Sequence, residues 1–257
     1  MESKSLRVEQ LERIADALLT PDRGDPAAST IPWESRETLD TLQGSIAYWT
    51  IGSGPAVVLV HGWEGSHGQM DAFVAPLLAR GARVVSVDLP AHGESGGVTA
   101  SPLDCGAAIA AVGAQIGPLA GAIGHSGGCP SIAIAMRGGM RVQRVALIAT
   151  PERWERYVRW FAHEEGVDAE HLIDTLRARG VDVASLVLPE TASAFDVPAL
   201  IVHSEDDRTC KIEGARRVAD AWRGSEFLTV DGLGHMRILK DPAVVERVVH
   251  FTIPEPS

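Results

Sequence analysis

The sequence predicts a doubly wound α/β fold, a mostly parallel sheet flanked by helices. Three observations carry that prediction. From about residue 44 onward, short apolar runs alternate with helical stretches. Several of those runs are continuous rather than alternating and are rich in Val, Ile and Leu, as strands buried on both faces are. Glycine-rich turns with reactive side chains follow several of the runs, and in such sheets the chemistry sits at the carboxyl ends of the strands.

The elements follow in order. Leu6, Leu11, Ile14, Ala15, Leu18 and Leu19 recur near helical spacing with charges between them, so the chain opens on a helix that stops near Pro21. Residues 20–35 hold three prolines and a glycine and read as a loop, so 1–43 form a helix-and-loop extension. Strands are expected at 46–51, 56–60, 83–87, 119–123, 145–149, 199–202 and 227–230, and helices at 70–80, 103–116, 130–137, 212–223 and 242–251. Residues 44–149 and 198–257 thus form one core. Between them, 150–197 has helical character and no clear strand. Trp154, Tyr157, Val158 and Phe161 share one helix face there and Trp160 falls off it. The segment reads either as an ordinary packing excursion or as a helical cap over a site.

Composition narrows the function classes. In 257 residues, 45% are hydrophobic and 22% charged, values of an ordinary globular domain that exclude a mainly disordered chain. The net charge of −11 repels phosphate backbones and anionic lipid, which argues against nucleic acid as a partner. No apolar run reaches the ~18 residues of a membrane span. Three scattered cysteines suit a reducing compartment, and residues 1–19 are too charged for a signal-peptide core, so a cytoplasmic protein is expected. There is no cysteine or histidine pattern of a metal site and no phosphate-binding loop, so neither metal nor cofactor is expected.

Gly124-His125-Ser126-Gly127-Gly128 matches G-x-S-x-G between an expected strand and an expected helix. A serine on such a sharp turn is lifted clear of the sheet, and the following amide and helix N-terminus face a developing negative charge. Gly93-Glu94-Ser95-Gly96-Gly97 matches the same pattern. It lies in a glycine-rich loop with no helix starting in it, so Ser95 reads as a loop residue and Ser126 as the nucleophile. A serine hydroxyl needs an imidazole to take its proton and a carboxylate to orient that imidazole. Of nine histidines, His235 follows a strand and a Gly-x-Gly loop and can sit over the sheet's carboxyl edge. Glu205, Asp206 and Asp207 all follow the 199–202 strand and are the candidate acids. His67, His163, His171 and His250 read as solvated.

Taken together, these motifs resemble the α/β-hydrolase superfamily, and its serine esterases in particular, over residues 44–251. Val57–Gly62 and Trp63 look like the strand and oxyanion loop of that family. Asp88-Leu89-Pro90-Ala91-His92-Gly93-Glu94-Ser95 looks like its D-x-P-G-x-G-x-S loop, with Ala91 in place of the first glycine. His203-Ser204-Glu205-Asp206-Asp207 resembles the strand end and G-x-x-D acid loop, with Ser204 in the glycine's place, and Gly232-Leu233-Gly234-His235 resembles the G-x-G-H of the base.

The resemblance implies a triad of Ser126, Asp207 and His235, with Trp63 and Gly127 supplying oxyanion-hole amides. It implies a serine hydrolase that cleaves carboxylic esters of small to medium apolar acyl groups through an acyl-enzyme. His61, Trp63, His125, Trp154 and Trp160 are the expected substrate-binding residues, for a small-molecule ester. Thioester, amide or peptide, lactone and carbon–carbon hydrolysis fit the same triad, and a ligand-binding receptor fits the same fold. The N-terminal extension reads as a helix packed on the sheet, a partly ordered tail, a homodimer contact or a flap near the site.

Overall fold

The computed structural model describes residues 2–23 and 29–254, with side chains of the first helix described from Val8 onward. The side chain of Leu6 and residues 24–28 of the expected loop lie outside the described residues. An eight-stranded sheet forms from β1 (Ser35–Thr41), β2 (Gly44–Ile51), β3 (Ala56–Val60), β4 (Arg83–Val87), β5 (Leu119–His125), β6 (Val145–Ile148), β7 (Ala199–Ser204) and β8 (Glu226–Val230) in the order β1-β2-β4-β3-β5-β6-β7-β8. The β1–β2 and β2–β4 pairs are antiparallel and all others parallel.

Alternation along the strands divides the core in two. Val58 and Val60 of β3, Val145 and Leu147 of β6, and Ala199 and Ile201 of β7 pack on one face. They meet α3 (Pro102–Ile116), α4 (Gly128–Arg137) and α8 (Ile212–Ala221) through Ile109, Ile132 and Val218. Their neighbours Val57, Leu59, Ala146, Ile148, Leu200 and Val202 point the other way, onto α2 (Val74–Ala79) and α10 (Pro242–Thr252). Both faces being covered, the strands carry the continuous apolar runs seen in the sequence. Ser101 and Asp104 form a capping box at the start of α3, with Pro102 in its first turn, which sets where that helix begins.

One strand was not expected. β1 falls where the sequence suggested only the helix-and-loop extension, so the sheet begins at Ser35 rather than near residue 44. Its sequence is mostly polar because it is a solvent-facing edge paired on one side only. The expected helix at 70–80 is a 3₁₀ turn, His67–Phe73, that runs into α2.

Between β6 and β7 the chain forms α5 (Glu155–Glu164), α6 (Ala169–Ala178) and α7 (Leu188–Ala192). The first helix, α1 (Glu2–Leu19), docks on this group rather than on the sheet. Leu11, Ile14, Ala15, Leu18 and Leu19 form an apolar cluster with Val158 and Ala162 of α5 and Leu172, Ile173 and Leu176 of α6. Arg179 hydrogen-bonds the Glu12 carboxylate and carbonyl and the Asp16 carboxylate. Beyond α1, the Leu19 carbonyl accepts from the Ala100 amide, and Arg23 donates to the carbonyls of Gly93 and Gly97.

This docking is apolar at its centre, so a buried charge there should release it. Leu18→Asp is expected to speed trypsin cleavage at Arg13 and Arg23 by more than tenfold while the main thermal transition survives. An unchanged cleavage rate would mean that α1 is not held by this cluster.

Candidate active site

The elbow after β5 is built by local strain and by glycine. Ser126 sits at φ 48°, a left-handed conformation that costs a non-glycine residue about 1–3 kcal/mol and is found where a side chain must be presented. The Ser126 amide donates to the Ile148 carbonyl (3.0 Å), and the Cys129 amide donates back to the Ser126 carbonyl (3.0 Å). Gly128 begins α4 directly beneath β3: a Cβ there would lie 2.5 Å from the Val60 oxygen and 2.6 Å from the His61 oxygen. Gly124 has the same need, since its Cβ would come within 2.7 Å of Ile132 Cδ1.

His235 lies on the short helix α9 (Gly234–Arg237), just past β8. Its Nε2 is 3.0 Å from Ser126 Oγ and its Nδ1 is 2.7 Å from Asp207 Oδ2. The other Asp207 oxygen accepts from the amides of Thr209 (2.8 Å) and Cys210 (2.9 Å). Burial alone would raise the Asp207 pKa. The hydrogen bonds from His235 and from the two amides outweigh it and hold the carboxyl below the usual aspartate value. An ionised Asp207 requires the proton of a neutral His235 on Nδ1, which leaves Nε2 free to accept from the Ser126 hydroxyl.

Trp63 and Gly127 approach each other across the site: a Cβ on Gly127 would lie 3.1 Å from the Trp63 amide nitrogen. Among the described residues neither amide donates to a protein acceptor. The loop that carries Trp63 is pinned from behind. Gln69 Oε1 accepts from the Gly62 amide (2.8 Å) and lies 3.3 Å from His125 Nδ1, while His125 Nε2 donates to the His235 carbonyl (3.0 Å).

The site opens into a cavity of about 1050 Å³. Trp63, His125, Trp154 and Trp160 line it, with Trp160 half-exposed and its ring tilted against Tyr157 at 5.6 Å. His61 does not line it, which corrects its expected contact with substrate. It is fully buried, accepts from the Leu89 amide (3.0 Å) and donates to the Gly62 carbonyl (2.6 Å), so it braces the loop. His67 is likewise not solvated: it stacks on Trp49 at 3.5 Å and bonds Asp88. Ser95 is buried and donates to the Asp88 carbonyl, far from any role as nucleophile.

Four features escaped the sequence reading. Gln69 and Tyr157 carry no motif. Cys210 lines the cavity, and burial pushes its thiol up to about 12. The cavity wall is also basic: Arg137, Arg156, Arg208 and Lys211 line it without an ion pair among the described residues. Among those residues, no three His, Cys, Asp or Glu side chains converge as metal ligands, and no helix is long and apolar enough to cross a membrane.

The model of the alpha/beta hydrolase family matches residues 57–248. The chain belongs to that family. The pimeloyl-[acyl-carrier protein] methyl ester esterase of Xanthomonas campestris pv. campestris is 28% identical over 244 residues, covering 78% of this chain and 95% of that protein. The enzyme of the same name from Chromobacterium violaceum is 41% identical over 113 residues, but that match spans only 43% of either chain. Among solved structures, an esterase from Exiguobacterium antarcticum superposes with a TM-score of 0.68 at 18% identity, over 85% of this chain and 99% of its own. At that identity the likeness is one of fold.

Two predictions follow from this geometry. Gly128→Ala forces a methyl into the Val60 and His61 carbonyls and should cost more than about 2 kcal/mol in urea unfolding; a smaller loss would mean the elbow relaxes freely. The second concerns pH. Burial, aided by a neighbouring histidine in each case, pushes His92 and His125 down to about 3, against about 6.5 in an unfolded chain. A group depressed on folding stabilises fully above its unfolded pKa and loses that contribution as pH falls toward the folded one. Unfolding free energy should therefore drop between pH 7.5 and pH 5, by about 2 kcal/mol per histidine. Asp207, shifted below its ordinary value, still contributes in that window. Equal stability at the two pH values would contradict the buried, neutral histidines.

Proposed function

We propose that the protein is a serine esterase that hydrolyses carboxylic esters through an acyl-enzyme. The observation that carries this reading is the unbroken chain from Ser126 Oγ to His235 Nε2 (3.0 Å) and from His235 Nδ1 to Asp207 Oδ2 (2.7 Å). Ser126 Oγ attacks the ester carbonyl while His235 Nε2 takes its proton. The carbonyl oxygen becomes an oxyanion that accepts from the amides of Trp63 and Gly127, each worth roughly 3 kcal/mol to the transition state. Asp207 stabilises the imidazolium. The tetrahedral intermediate collapses, the alcohol leaves with the proton from His235, and Ser126 carries the acyl group. Water then gives its proton to His235 and attacks the acyl carbon. Collapse releases the acid and returns the proton to Ser126.

Residues 150–197 serve as a cap in this reading. Trp154 and Trp160, with Trp63 and His125, form walls suited to a small or medium apolar acyl group. A second reading concerns what the ester is attached to. Arg137, Arg153, Arg156, Arg208 and Lys211 line the cavity against the carboxylates of Glu64 and Glu152, so its wall carries an excess of cations in a chain whose net charge is −11. That favours an ester carried on an anionic group, in keeping with the relatives named for an acyl-carrier-protein ester.

The test is turnover of p-nitrophenyl butyrate together with fluorophosphonate labelling. Ser126→Ala should lower kcat/KM at least 10³-fold with the fold intact. The label should map to Ser126 and vanish in His235→Ala. A label on another serine, or full activity in Ser126→Ala, defeats the proposal. Thioesters, lactones and amides assayed beside the ester test the bond.

A further inference from the structure

The acid and the base arrive on different loops, and something must fix one against the other. β7 and β8 are parallel neighbours whose last residues, Ser204 and Val230, pair in register. Beyond them one loop carries Asp207 and the next carries His235. The second loop contains two left-handed glycines, Gly232 at φ 74° and Gly234 at φ 58°, which give the segment before His235 a wide conformational choice in isolation.

Ser204 removes that choice. Its hydroxyl is fully buried and uses every hydrogen-bonding capacity it has. It donates to Asp206 Oδ1 (2.5 Å) and accepts from the amides of Leu233 (3.2 Å) and Gly234 (3.1 Å). Asp206 Oδ1 also accepts from the Gly234 amide (2.8 Å), and Arg237 lies 3.7 Å from the other Asp206 oxygen while donating to the Gly232 carbonyl (2.7 Å). The staple therefore closes on the residue directly before His235. A glycine at position 204, as in the G-x-x-D pattern, would leave the Leu233 amide without that acceptor and leave Asp206 held to the next loop, among the described residues, by the Gly234 amide and Arg237 alone. Neither Ser204 nor Asp206 lines the cavity, so neither has reach to a bound ester.

We propose that Ser204 and Asp206 are positioning residues that hold His235 at hydrogen-bonding distance from both Ser126 and Asp207. The proposal rests on the reading of His235 as the general base. A buried hydroxyl bridging two loops is worth only a modest share of stability, whereas a small displacement of a base costs rate steeply.

The experiment compares Ser204→Gly, Ser204→Ala, Asp206→Ala, Asp206→Asn and the Ser204→Ala/Asp206→Ala double variant with the parent. Readouts are kcat and KM on p-nitrophenyl butyrate and the rate of fluorophosphonate labelling at Ser126. Ser204→Gly, Ser204→Ala and Asp206→Ala should each lose about tenfold in kcat, with KM within twofold and labelling slowed in step. Asp206→Asn, which keeps an acceptor oxygen, should recover part of the loss seen in Asp206→Ala. The double variant should be no slower than the slower single, as members of one network are. Should Ser204→Ala fail to fold, the exposed Asp206 pair still decides the matter. Labelling and kcat within twofold of the parent, or a loss confined to KM, overturns the staple. Full turnover by Ser126→Ala would instead overturn the triad reading, so the two failures are distinct.

Discussion

The site depends on one constraint: parallel strands in a single sheet end at the same edge. β5, β7 and β8 therefore deliver Ser126, Asp207 and His235 to one rim although 109 positions separate the serine from the histidine. Direction alone does not set distance, because β5 and β8 are separated by β6 and β7. His235 bridges that gap with its whole residue. Its ring spans Asp207 and Ser126, and its carbonyl accepts from His125, the last residue of β5. His235 is thus tied to β5 and the turn after it by backbone as well as by side chain.

Electrostatics divides the labour between the two adjacent imidazoles. His125 and His235 have ring centroids 4.9 Å apart, so two positive charges there would repel strongly. Burial keeps His125 neutral and lowers the pKa of His203, whose Nε2 lies 3.5 Å from Asp207, while the ionised Asp207 makes its short hydrogen bond (2.7 Å) with His235. His125 remains a fixed donor, and through Gln69 it touches the loop that offers the Trp63 amide.

Much of this was legible in the sequence, for physical reasons. Strands covered on both faces must be apolar throughout, so 56–60, 83–87, 119–123 and 145–149 stood out and fixed the sheet's direction of travel. The elbow announced itself because Gly124 and Gly128 have no room for a Cβ. β1 did not, because Ser35–Thr41 needs only one partner and faces water. The place of His61 in a motif suits both a brace for its loop and a substrate contact, because it tells nothing of which way the ring turns; here it turns inward to Leu89 and Gly62. Ser204 was visible only as a departure from a pattern. What it binds depends on the 231–234 loop, which lies some 30 positions away and meets it only in the folded sheet. Gln69 and Tyr157 are legible only in three dimensions for the same reason.

The N-terminal helix raises a related point about how a cavity wall is held. α5 and its N-cap Trp154 serve two contacts: Trp154, Tyr157 and Phe161 line the cavity and also pack against the cluster in which Val158 and Ala162 are buried with α1 and α6. A ten-residue amphipathic helix standing alone over a cavity would be marginal in water. The stripe of Leu11, Ile14, Ala15, Leu18 and Leu19 covers its outer side. Arg179 contributes little to that contact, because Glu12 and Asp16 are largely exposed and such pairs are worth about 0–1 kcal/mol. The apolar stripe does the holding, and Arg179 sets the register. The aromatic wall is consequently held by the packing of a segment whose described residues do not themselves line the cavity, and α1 supports it from the side of Val158 and Ala162.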